Sequence, residues 1–366
     1  KFQKDNFYKL FLNDLFNKKE IFIQNQPLNT KNIILSLKEN KNITVVENAI
    51  CQELISDKNN KIVSVKICQN NKVKLISADI FVLSAGVFES PRLLLQSIRN
   101  KNLLIKNLNI GKNLIDHPFL NIGRIRFVNK GFFTLNYFRK RISHKFSYRI
   151  SFSFIEKNKS GNLNHSIEFR PISTSIKKID EFKYYINNGH ISKILIFLFK
   201  NILNFKFFYN LFIQKFFPSQ LKIKECSVIL HLDQHPVDDD YISLSNKKDK
   251  FGRIIPIIRY GKDRDEITSI KYTQKLITKN LENSNFEFIS DKSDNFNFFY
   301  GNHQCGTARL AKNKKTGVTD KNLKVFDTKN LFICDTSIIP IFGNSNPSLT
   351  IFALAKKLSN YLFLNY

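Results

Sequence analysis

The hydrophobic and polar positions of this chain change their period several times, and each change predicts an element. Over residues 43–83, short runs rich in β-branched side chains are separated by polar turns, such as the turn at residues 57–60. Such runs are typical of strands, so we expect a strand, a hairpin or meander, and a buried strand at residues 80–83. Between residues 119 and 261, partial alternation of apolar and polar positions recurs in six segments. This alternation favours a mostly antiparallel sheet.

Helical periods frame these strands. Residues 1–40 combine helical spacing at 7–16 with a second apolar stretch at 33–37, which predicts a helix, a loop and a helix. Residues 262–282 begin with acidic side chains and continue with a helical period. Because acidic residues favour a helix N-terminus, we expect a helix here that leads back from the sheet.

Residues 194–217 are strongly apolar and fall inside the predicted sheet region. The apolar run is interrupted by Lys200, Asn201, Asn204 and Lys206, well short of the roughly 18 to 20 residues that a membrane-spanning helix needs. The pattern predicts a pair of helices that covers the sheet or the substrate entrance. An interfacial amphipathic helix that rests on a membrane is the alternative.

Small residues follow the predicted strand at 80–83. Residues 84–86, Ser-Ala-Gly, let the backbone turn tightly and approach a ligand closely. Ser90-Pro91 then opens a helix with Pro in its first turn. Nucleotide-binding α/β sheets use such a strand, turn and helix at their ligand edge, but an ordinary strand-to-helix turn has the same pattern.

Three features near the C-terminus carry candidate chemistry. His303 lies in a loop flanked by aromatic residues and Gly, and a neutral imidazole with a pKa of about 6.5 can take a proton from a substrate hydroxyl. Residues 330–335 read as a buried strand that ends in Asp335, and Asn346-Pro347 opens the last helix. Taken singly, each feature has a structural alternative: a structural His, a loop acid and a plain helix start. The last helix is predicted to bury one face, formed by Leu349, Ile351, Phe352, Leu354, Ala355 and Leu358.

Composition narrows the functional classes. The formal net charge is +28, but Lys is scattered among abundant Asn and Ile with no nucleic-acid-binding motif. We interpret the charge as a coding bias and expect no nucleic-acid partner.

The five Cys are odd in number and contain no CxxC pair, which indicates neither a disulfide framework nor a zinc site. No other metal site is expected, because the His residues lack ligand spacing, and His117 before Pro118 reads as a structural loop residue. The Cys pattern favours a cytoplasmic protein, with membrane association through residues 194–217 as the alternative.

The chain contains 36 Phe but no Met. A coding sequence without Met lacks a start codon, so we expect a piece of a longer protein whose missing part is N-terminal.

Four blocks of sequence together resemble the glucose-methanol-choline (GMC) oxidoreductases. They are ADIFVLSAGVFESPRLLLQS with NIGKNLIDHP, then HQCGTARL, then GVTDKNLKVFDTKNLFICDTSIIP, and then NSNPSLTIFALAKKLSNYL. The resemblance implies an FAD-dependent oxidoreductase that oxidises a CH–OH group of an alcohol or sugar by hydride transfer to flavin N5. It implies an α/β, Rossmann-like FAD domain at residues 1–118 and 291–366, interrupted by an α+β substrate domain with a mostly antiparallel sheet at 119–290. The acceptor that reoxidises the flavin is left open between oxygen, a quinone and a cytochrome.

The same resemblance assigns roles to single residues. His303 matches the catalytic base, Asn346 its partner, and Asp335 an acid that contacts FAD. The further cofactor-binding positions that it implies are Cys51, Ala85, Gly86, Ser90, Pro91 and Pro347, with Asn346 shared between both roles.

Two departures from the family pattern qualify these roles. Leu310-Ala311 replaces the usual Met-Gly, and no GxGxxG fingerprint occurs among the 12 Gly. Because that fingerprint holds the FAD pyrophosphate, we expect this chain alone to bind FAD poorly and to be inactive. The competing hypothesis is a truncated, inactive and basic relic that binds membrane or polyanion.

Overall fold

The structure is a computed structural model of the 366-residue chain. The residues that it describes are 7, 9–11, 16–24, 30–129, 131–134, 138, 140–141, 146–154, 163–172, 178, 181–182, 184–186, 189–217, 220, 222–261, 264–292, 296, 298–341, 343 and 346–366.

The strands in chain order are β1 Phe16–Gln24, β2 Ala49–Ser56, β3 Ile62–Gln69, β4 Lys72–Ile76, β5 Phe81–Leu83, β6 Pro118–Phe127, β7 Phe133–Thr134, β8 Lys140–Arg141, β9 Phe146–Phe154, β10 His165–Ile172, β11 Lys222–Ile223, β12 Glu225–Leu232, β13 Tyr241–Lys248, β14 Ile254–Arg259, β15 Phe286–Ser290, β16 Phe299–Tyr300 and β17 Leu331–Ile333. The helices are α1 Thr30–Glu39, α2 Gly86–Arg99, α3 Ile191–Asn201, α4 Phe205–Phe216, α5 Arg264–Leu281 and α6 Ser348–Asn365, with a 3₁₀ turn at Thr336–Ile338.

The chain divides into two compact units. The first comprises residues 1–27, 119–232 and 265–299, and the second comprises residues 28–118, 233–264 and 300–366. Residues 1–27 thus group with the first unit and residues 233–264 with the second. The assignment of residues 1–118, 119–290 and 291–366 to cofactor and substrate domains stays a prediction.

The first unit is built on an eight-stranded sheet. Strands β1, β9, β10, β12, β6 and β15 pair in that order and run antiparallel, while β8 pairs with β9 and β16 with β6. Alternation along β6 buries Leu120 and Ile122 on one side, as the period of a strand requires. Helix α5 packs Ile270 and Ile277 into the same core, so the sheet and this helix enclose one apolar layer.

The second unit combines antiparallel and parallel pairing. Strands β2, β3 and β4 form an antiparallel sheet, β13 pairs with β14, and β5 lies parallel to β17. Parallel pairing of strands so far apart in sequence, with α2 directly after β5, is the arrangement expected of an α/β layer. The predicted fold class, an α/β part combined with a mostly antiparallel sheet, is confirmed.

Four local predictions are wrong in whole or in part. In the first 40 residues the second predicted helix is confirmed as α1, but residues 16–24 form the strand β1 where the end of the first helix and a loop were expected. Residues 8 and 12–15 of the first predicted helix lie outside the described residues. Helix α2 begins at Gly86 rather than at Ser90. Strands β13 and β14 pair with each other and do not join the large sheet. The predicted buried face of α6 is buried only in part: Leu358 is buried and Ile351 and Leu354 pack against buried clusters. Leu349, in contrast, is 81% exposed and Phe352 is 59% exposed.

Residues 191–217 form the predicted helical pair, α3 followed by α4. The two helices pack through Phe197 and Phe207, whose ring centroids are 5.5 Å apart. Asn201 and Asn204 close the turn between them, since Asn204 accepts a hydrogen bond from the backbone N–H of Phe207 at 3.0 Å. Across the described parts of the chain, we find no helix with the length and apolar character needed to cross a membrane.

Candidate active site

The carboxyl ends of β5 and β17 bring two loops together in the second unit. The backbone N–H of Cys334 donates to the carbonyl of Leu83 at 2.8 Å, which extends the parallel pairing by one residue. Beyond this point β5 leads through Ala85 into α2, and β17 leads into Asp335. Side chains at these strand ends therefore lie next to each other, at the edge where open α/β sheets bind ligands.

Asp335 joins the two strand ends. Its Oδ2 accepts hydrogen bonds from the Gly86 N–H at 2.9 Å and from the Ser90 hydroxyl at 2.5 Å. Its Oδ1 accepts from the N–H and the hydroxyl of Ser337, at 2.8 and 2.5 Å. With four donors, the hydrogen-bonding capacity of this buried carboxylate is satisfied. The partial positive charge at the N-terminus of α2 stabilises its negative charge further. Direct contact of Asp335 with a cofactor stays a prediction.

Pro91 lies in the second turn of α2, and another segment compensates for the missing donor. A Pro has no N–H, so the carbonyl of Val87 loses its usual partner four residues on. The hydroxyl of Thr307 donates to that carbonyl at 2.7 Å. The segment around His303 is thereby fixed to the first turns of α2.

Two loops meet backbone to backbone beside this helix. The N–H of Gly111 donates to the carbonyl of Thr307 at 2.8 Å, and Ile115 and Cys305 exchange hydrogen bonds at 2.8 and 3.0 Å. Gly306 has a φ of +99° and lies so close to Asn113 that a Cβ would overlap the Asn113 carbonyl oxygen. Only Gly meets both conditions, because it has no side chain and accepts a positive φ.

This pairing brings His303 against His117. Nε2 of His117 and Nδ1 of His303 lie 2.8 Å apart, within hydrogen-bond distance, and the two rings are within 8° of parallel. His117 is 3% exposed. A Cβ on Gly301 would stand 2.8 Å from His303 Nδ1 and 3.1 Å from His117 Nε2, so the absence of a side chain at Gly301 leaves room for the pair.

Asp116 accepts hydrogen bonds from both loops, the one that contains His117 and the one that contains His303. Its Oδ1 accepts from the N–H of His117 at 2.7 Å, its Oδ2 accepts from the side-chain amide of Gln304 at 2.8 Å, and it also accepts from the backbone N–H of His303. The N–H of Asp116 in turn donates to Gln234 at 2.9 Å. Such a network holds the His303 ring at a fixed position.

Burial and neighbouring charges shift the pKa values of Asp116 and His303 in opposite directions. Burial raises the pKa of Asp116, while hydrogen bonds from His117, His303 and Gln304 and the charge of His303 lower it. Burial lowers the pKa of His303, and the Asp116 carboxylate partly offsets that effect. Because the net effect on His303 is a lowered pKa, its imidazole is neutral at neutral pH.

A cavity of ≈ 480 Å³ lies beside His303. Its wall is formed by the first turn of α2, by the His303 loop and by the start of α6, and it contains Ala85, Gly86, Val87, Phe88, Glu89, Asn302, His303, Gln304, Thr336, Pro347, Ser348, Ile351 and Phe352. A Cβ on Gly86, which has a φ of +82°, would meet nothing within 4 Å. The cavity thus has an open side at the N-terminus of α2.

The structure gathers some of the predicted site residues and not others. His303, Ala85, Gly86 and Pro347 line the cavity. Within the described residues, five predicted positions are not part of its wall: Cys51, Ser90, Pro91, Asp335 and Asn346. Ser90 and Asp335 lie buried behind the wall, while Asn346 is exposed directly before Pro347.

Cys51 lies in β2 opposite Ile67 and packs against the core of the second unit. Burial raises the pKa of its thiol to about 11, although the charge of Arg92 acts in the opposite direction. A thiol with this pKa stays protonated and unreactive at neutral pH. Its backbone contact with a cofactor stays a prediction.

The residues that hold His303 are not among the predicted site residues. The sequence predicts His117 as a structural loop residue and indicates no role for Asp116, Gly301 or Thr307. The sequence signal available for them is the pair of tripeptides Asp-His-Pro at 116–118 and Gly-Asn-His at 301–303. Sequence alone does not show that these two loops lie next to each other. Among the described residues, no three His, Cys, Asp or Glu side chains are grouped so as to hold a metal ion.

Two domain profiles, both described as GMC oxidoreductase, match this chain. One matches residues 24–119 and the other matches residues 236–355. Together they cover more than half of the 366 residues.

Individual relatives either align over a short part of this chain or have a low sequence identity to it. A long-chain-alcohol oxidase of Arabidopsis thaliana is 32% identical over 96 residues, which are 24% of this chain and 13% of that protein. A pyridoxine 4-oxidase from Mesorbium loti has a TM-score of 0.55 at 18% identity and covers 89% of this chain and 59% of that one. An FAD-dependent oxidoreductase from Chaetomium thermophilum has a TM-score of 0.53 at 14% identity, covering 89% of this chain and 63% of that one. At these identities the two structures show the fold alone, and the chain spans less than two thirds of each relative.

Proposed function

Because this chain belongs to the GMC oxidoreductase family, we propose that it supplies the catalytic residues of a flavoenzyme that oxidises a CH–OH group of an alcohol or sugar. The proposal rests on one observation above all. An imidazole whose pKa is lowered, His303, lies in the wall of a cavity and is hydrogen bonded through Nδ1 to a buried second imidazole.

The cavity wall fits the redox end of an FAD molecule. Gly86 leaves open space where any other residue would place a Cβ, so a planar group can approach the backbone closely. The N-termini of α2 and α6 both border the cavity, and helix N-termini favour an anionic group. Gly86, Pro347 and Ser348 are the residues that would hold this end. Acceptance of the hydride from the substrate carbon is the chemistry that bound FAD would supply.

The residues of this chain handle the proton. As the C–H bond of the substrate breaks, the hydroxyl proton moves to Nε2 of His303, and a carbonyl forms. General-base assistance of this kind contributes roughly 10² to 10⁴ in rate. The imidazole suits the task because burial keeps it neutral before the reaction. The Asp116 carboxylate favours the protonated imidazole afterwards.

His117 sets which nitrogen of His303 serves as the base. When Nδ1–H of His303 donates to Nε2 of His117, the lone pair of His303 lies on Nε2. The nearly parallel arrangement of the two rings holds Nδ1 of His303 against Nε2 of His117, so Nε2 of His303 is the nitrogen that faces away from His117. Asn346, exposed before Pro347, is proposed to hydrogen bond the substrate oxygen beside His303.

The decisive experiment uses the longer protein that is expected to bind FAD, and it measures how fast substrate bleaches the bound flavin. His303→Gln keeps polarity but removes the base, so the rate should fall roughly a hundredfold or more. The matched control is His235→Gln, at an exposed position, which should leave the rate unchanged. Unchanged bleaching in His303→Gln would contradict the proposal. Reoxidation by oxygen, a quinone and a cytochrome, measured in parallel, identifies the acceptor.

A further inference from the structure

The turn between α3 and α4 exposes a cluster of large apolar side chains. Phe199 is 81% exposed, Ile202 65%, Leu203 82% and Phe205 80%. We call these four residues the hairpin tip. They lie within a stretch of seven residues that also holds Lys200, buried Asn201 and Asn204, and the helices on either side carry further exposed apolar residues such as Leu195 and Phe212. Single exposed apolar residues are ordinary on protein surfaces, whereas a group of them marks an interaction site.

The exposure does not result from loose packing of the hairpin. Phe197 and Phe207 are buried against Phe182, and Asn201 is buried and donates to the carbonyl of Phe197 at 2.9 Å. The inward face is thus complete, and the tip residues point away from it. Their exposure is a property of the folded hairpin.

Charge around the tip has one sign. Residues 183–224 contain seven Lys and no Asp or Glu. Lys200 and Lys206 flank the tip directly and are exposed. The acid nearest before the hairpin, Glu181, accepts a hydrogen bond from the Tyr185 hydroxyl at 2.7 Å. An apolar protrusion whose own charged side chains are all Lys is complementary to a lipid surface with anionic headgroups, where apolar groups enter the acyl boundary and ammonium groups meet phosphate.

The geometry points to a docking role: we propose that the hairpin tip inserts into the interface of an anionic lipid bilayer, with Lys200 and Lys206 bound to headgroup phosphates. The two helices have 11 and 12 residues, so they reach into the interface and do not span the bilayer. The inference concerns where the protein resides. It is independent of the oxidation chemistry and would survive its failure.

Tryptophan fluorescence tests the insertion directly. The chain contains no Trp, so Leu203→Trp provides a single fluorophore at the tip. On adding phosphatidylcholine vesicles with phosphatidylserine, its emission should shift to the blue and be quenched by brominated acyl chains. Leu75→Trp is the matched control because Leu75 is 62% exposed on β4, and its emission should not change. A tip Trp that stays solvent-like on saturating vesicles would overturn the proposal.

Vesicle cosedimentation tests the two contributions separately. The variant Phe199→Ser/Leu203→Ser/Phe205→Ser should lower partitioning onto anionic vesicles by roughly tenfold or more, since three large side chains no longer insert. Lys200→Gln/Lys206→Gln should lower it by roughly fivefold for each charge. Lys312→Gln/Lys315→Gln, at exposed positions elsewhere, is the control. Equal binding of the serine variant and wild type would overturn the proposal.

The competing occupant is a second copy of the chain. Light scattering without lipid distinguishes it: a dimer that the serine variant converts to monomer would overturn the lipid assignment. Monomers in both proteins, together with lipid binding lost only in the variant, are the expected result. Vesicles of phosphatidylcholine alone should bind weakly, and equal binding to them would also contradict the role of the two Lys.

Discussion

The loops around His303 and the hairpin tip differ in what they bury and what they expose. In the first region, which we call the site shell (residues 109–117 and 301–307), backbones touch and buried polar groups are hydrogen bonded to one another. In the second, large apolar side chains face outward over a complete core. The difference teaches where change is tolerated. Substitution in the site shell should therefore reduce both stability and the proposed activity, whereas substitution at the tip should change neither and should alter only what the surface binds.

The largest expected effect compares two Gly residues with positive φ. Gly306→Ala places a Cβ against the Asn113 carbonyl, so we expect a loss of about 3 kcal/mol or more in the free energy of unfolding. Gly189→Ala, just before α3, meets nothing within 4 Å at a φ of +65° and should lose about 1 kcal/mol from backbone strain. Urea denaturation of both variants measures the two losses. Similar losses would break the contrast between the regions.

A second comparison lies within the hairpin. Phe197 is 7% exposed and Phe199 is 81% exposed. Phe197→Ala removes a ring from the small hairpin core and should cost about 3 kcal/mol. Phe199→Ala should change the stability by less than about 0.5 kcal/mol. Thermal unfolding followed by circular dichroism reports both values, and a costly Phe199→Ala would mean that the tip is packed rather than exposed.

The Thr307 hydroxyl offers a smaller and more specific test of the site shell. Thr307→Val keeps the shape but leaves the Val87 carbonyl without its donor, at a cost of about 1–2 kcal/mol. Thr278→Val is the matched control, because the hydroxyl of exposed Thr278 donates to the Gln274 carbonyl of an uninterrupted helix. Thr278→Val should leave the free energy of unfolding unchanged. Equal effects of the two substitutions, measured by urea denaturation, would show that Thr307 does not compensate for Pro91.

The smallest expected effect is a shift along the pH axis. The proposed base, His303, takes up a proton only when it is neutral, so the rate of flavin reduction should fall as the pH drops through the His303 pKa, which lies below its ordinary value. Asp116→Asn removes the carboxylate that raises that pKa. The acidic limb should therefore move to lower pH, by less than about one unit.

Stopped-flow reduction across pH 5–8 measures this limb, and a histidine NMR titration measures the same pKa without substrate. The exposed Asp239→Asn should leave the curve in place. A shift toward higher pH in Asp116→Asn would contradict the assigned role of the carboxylate.

Sequence predicted the parts of this fold that local patterns determine. The meander before residue 77, the strand into Ala85-Gly86 and the α3–α4 pair follow from periodicity and turn residues, and the structure confirms them. Strand β1 was missed because its partner is β9, more than 120 residues further on. No local signal in Phe16–Gln24 outweighs the neighbouring helical spacing.

The candidate site shows the same limit. His303 was identified from its flanking residues, but its partner lies 186 residues away. Their proximity depends on backbone pairing between Ile115 and Cys305 and on two Gly residues that lack a Cβ, which are facts of tertiary structure. The exposure of Leu349 and Phe352 on α6 differs from the prediction for a related reason, since apolar periodicity predicts an apolar face but not which of its residues another segment covers.

Strand β5 and helix α2 have a consequence for the order in which the protein folds. The strand pairs with residues 331–333, and the helix obtains its missing hydrogen bond from Thr307. A ribosome that adds about 5–20 residues per second needs roughly 10 s or longer to make the intervening segment. During that time β5 has an unpaired edge and α2 an unsatisfied carbonyl. The strand ends that border the candidate site therefore stay unpaired in the nascent chain until residues 307 and 331–333 have emerged.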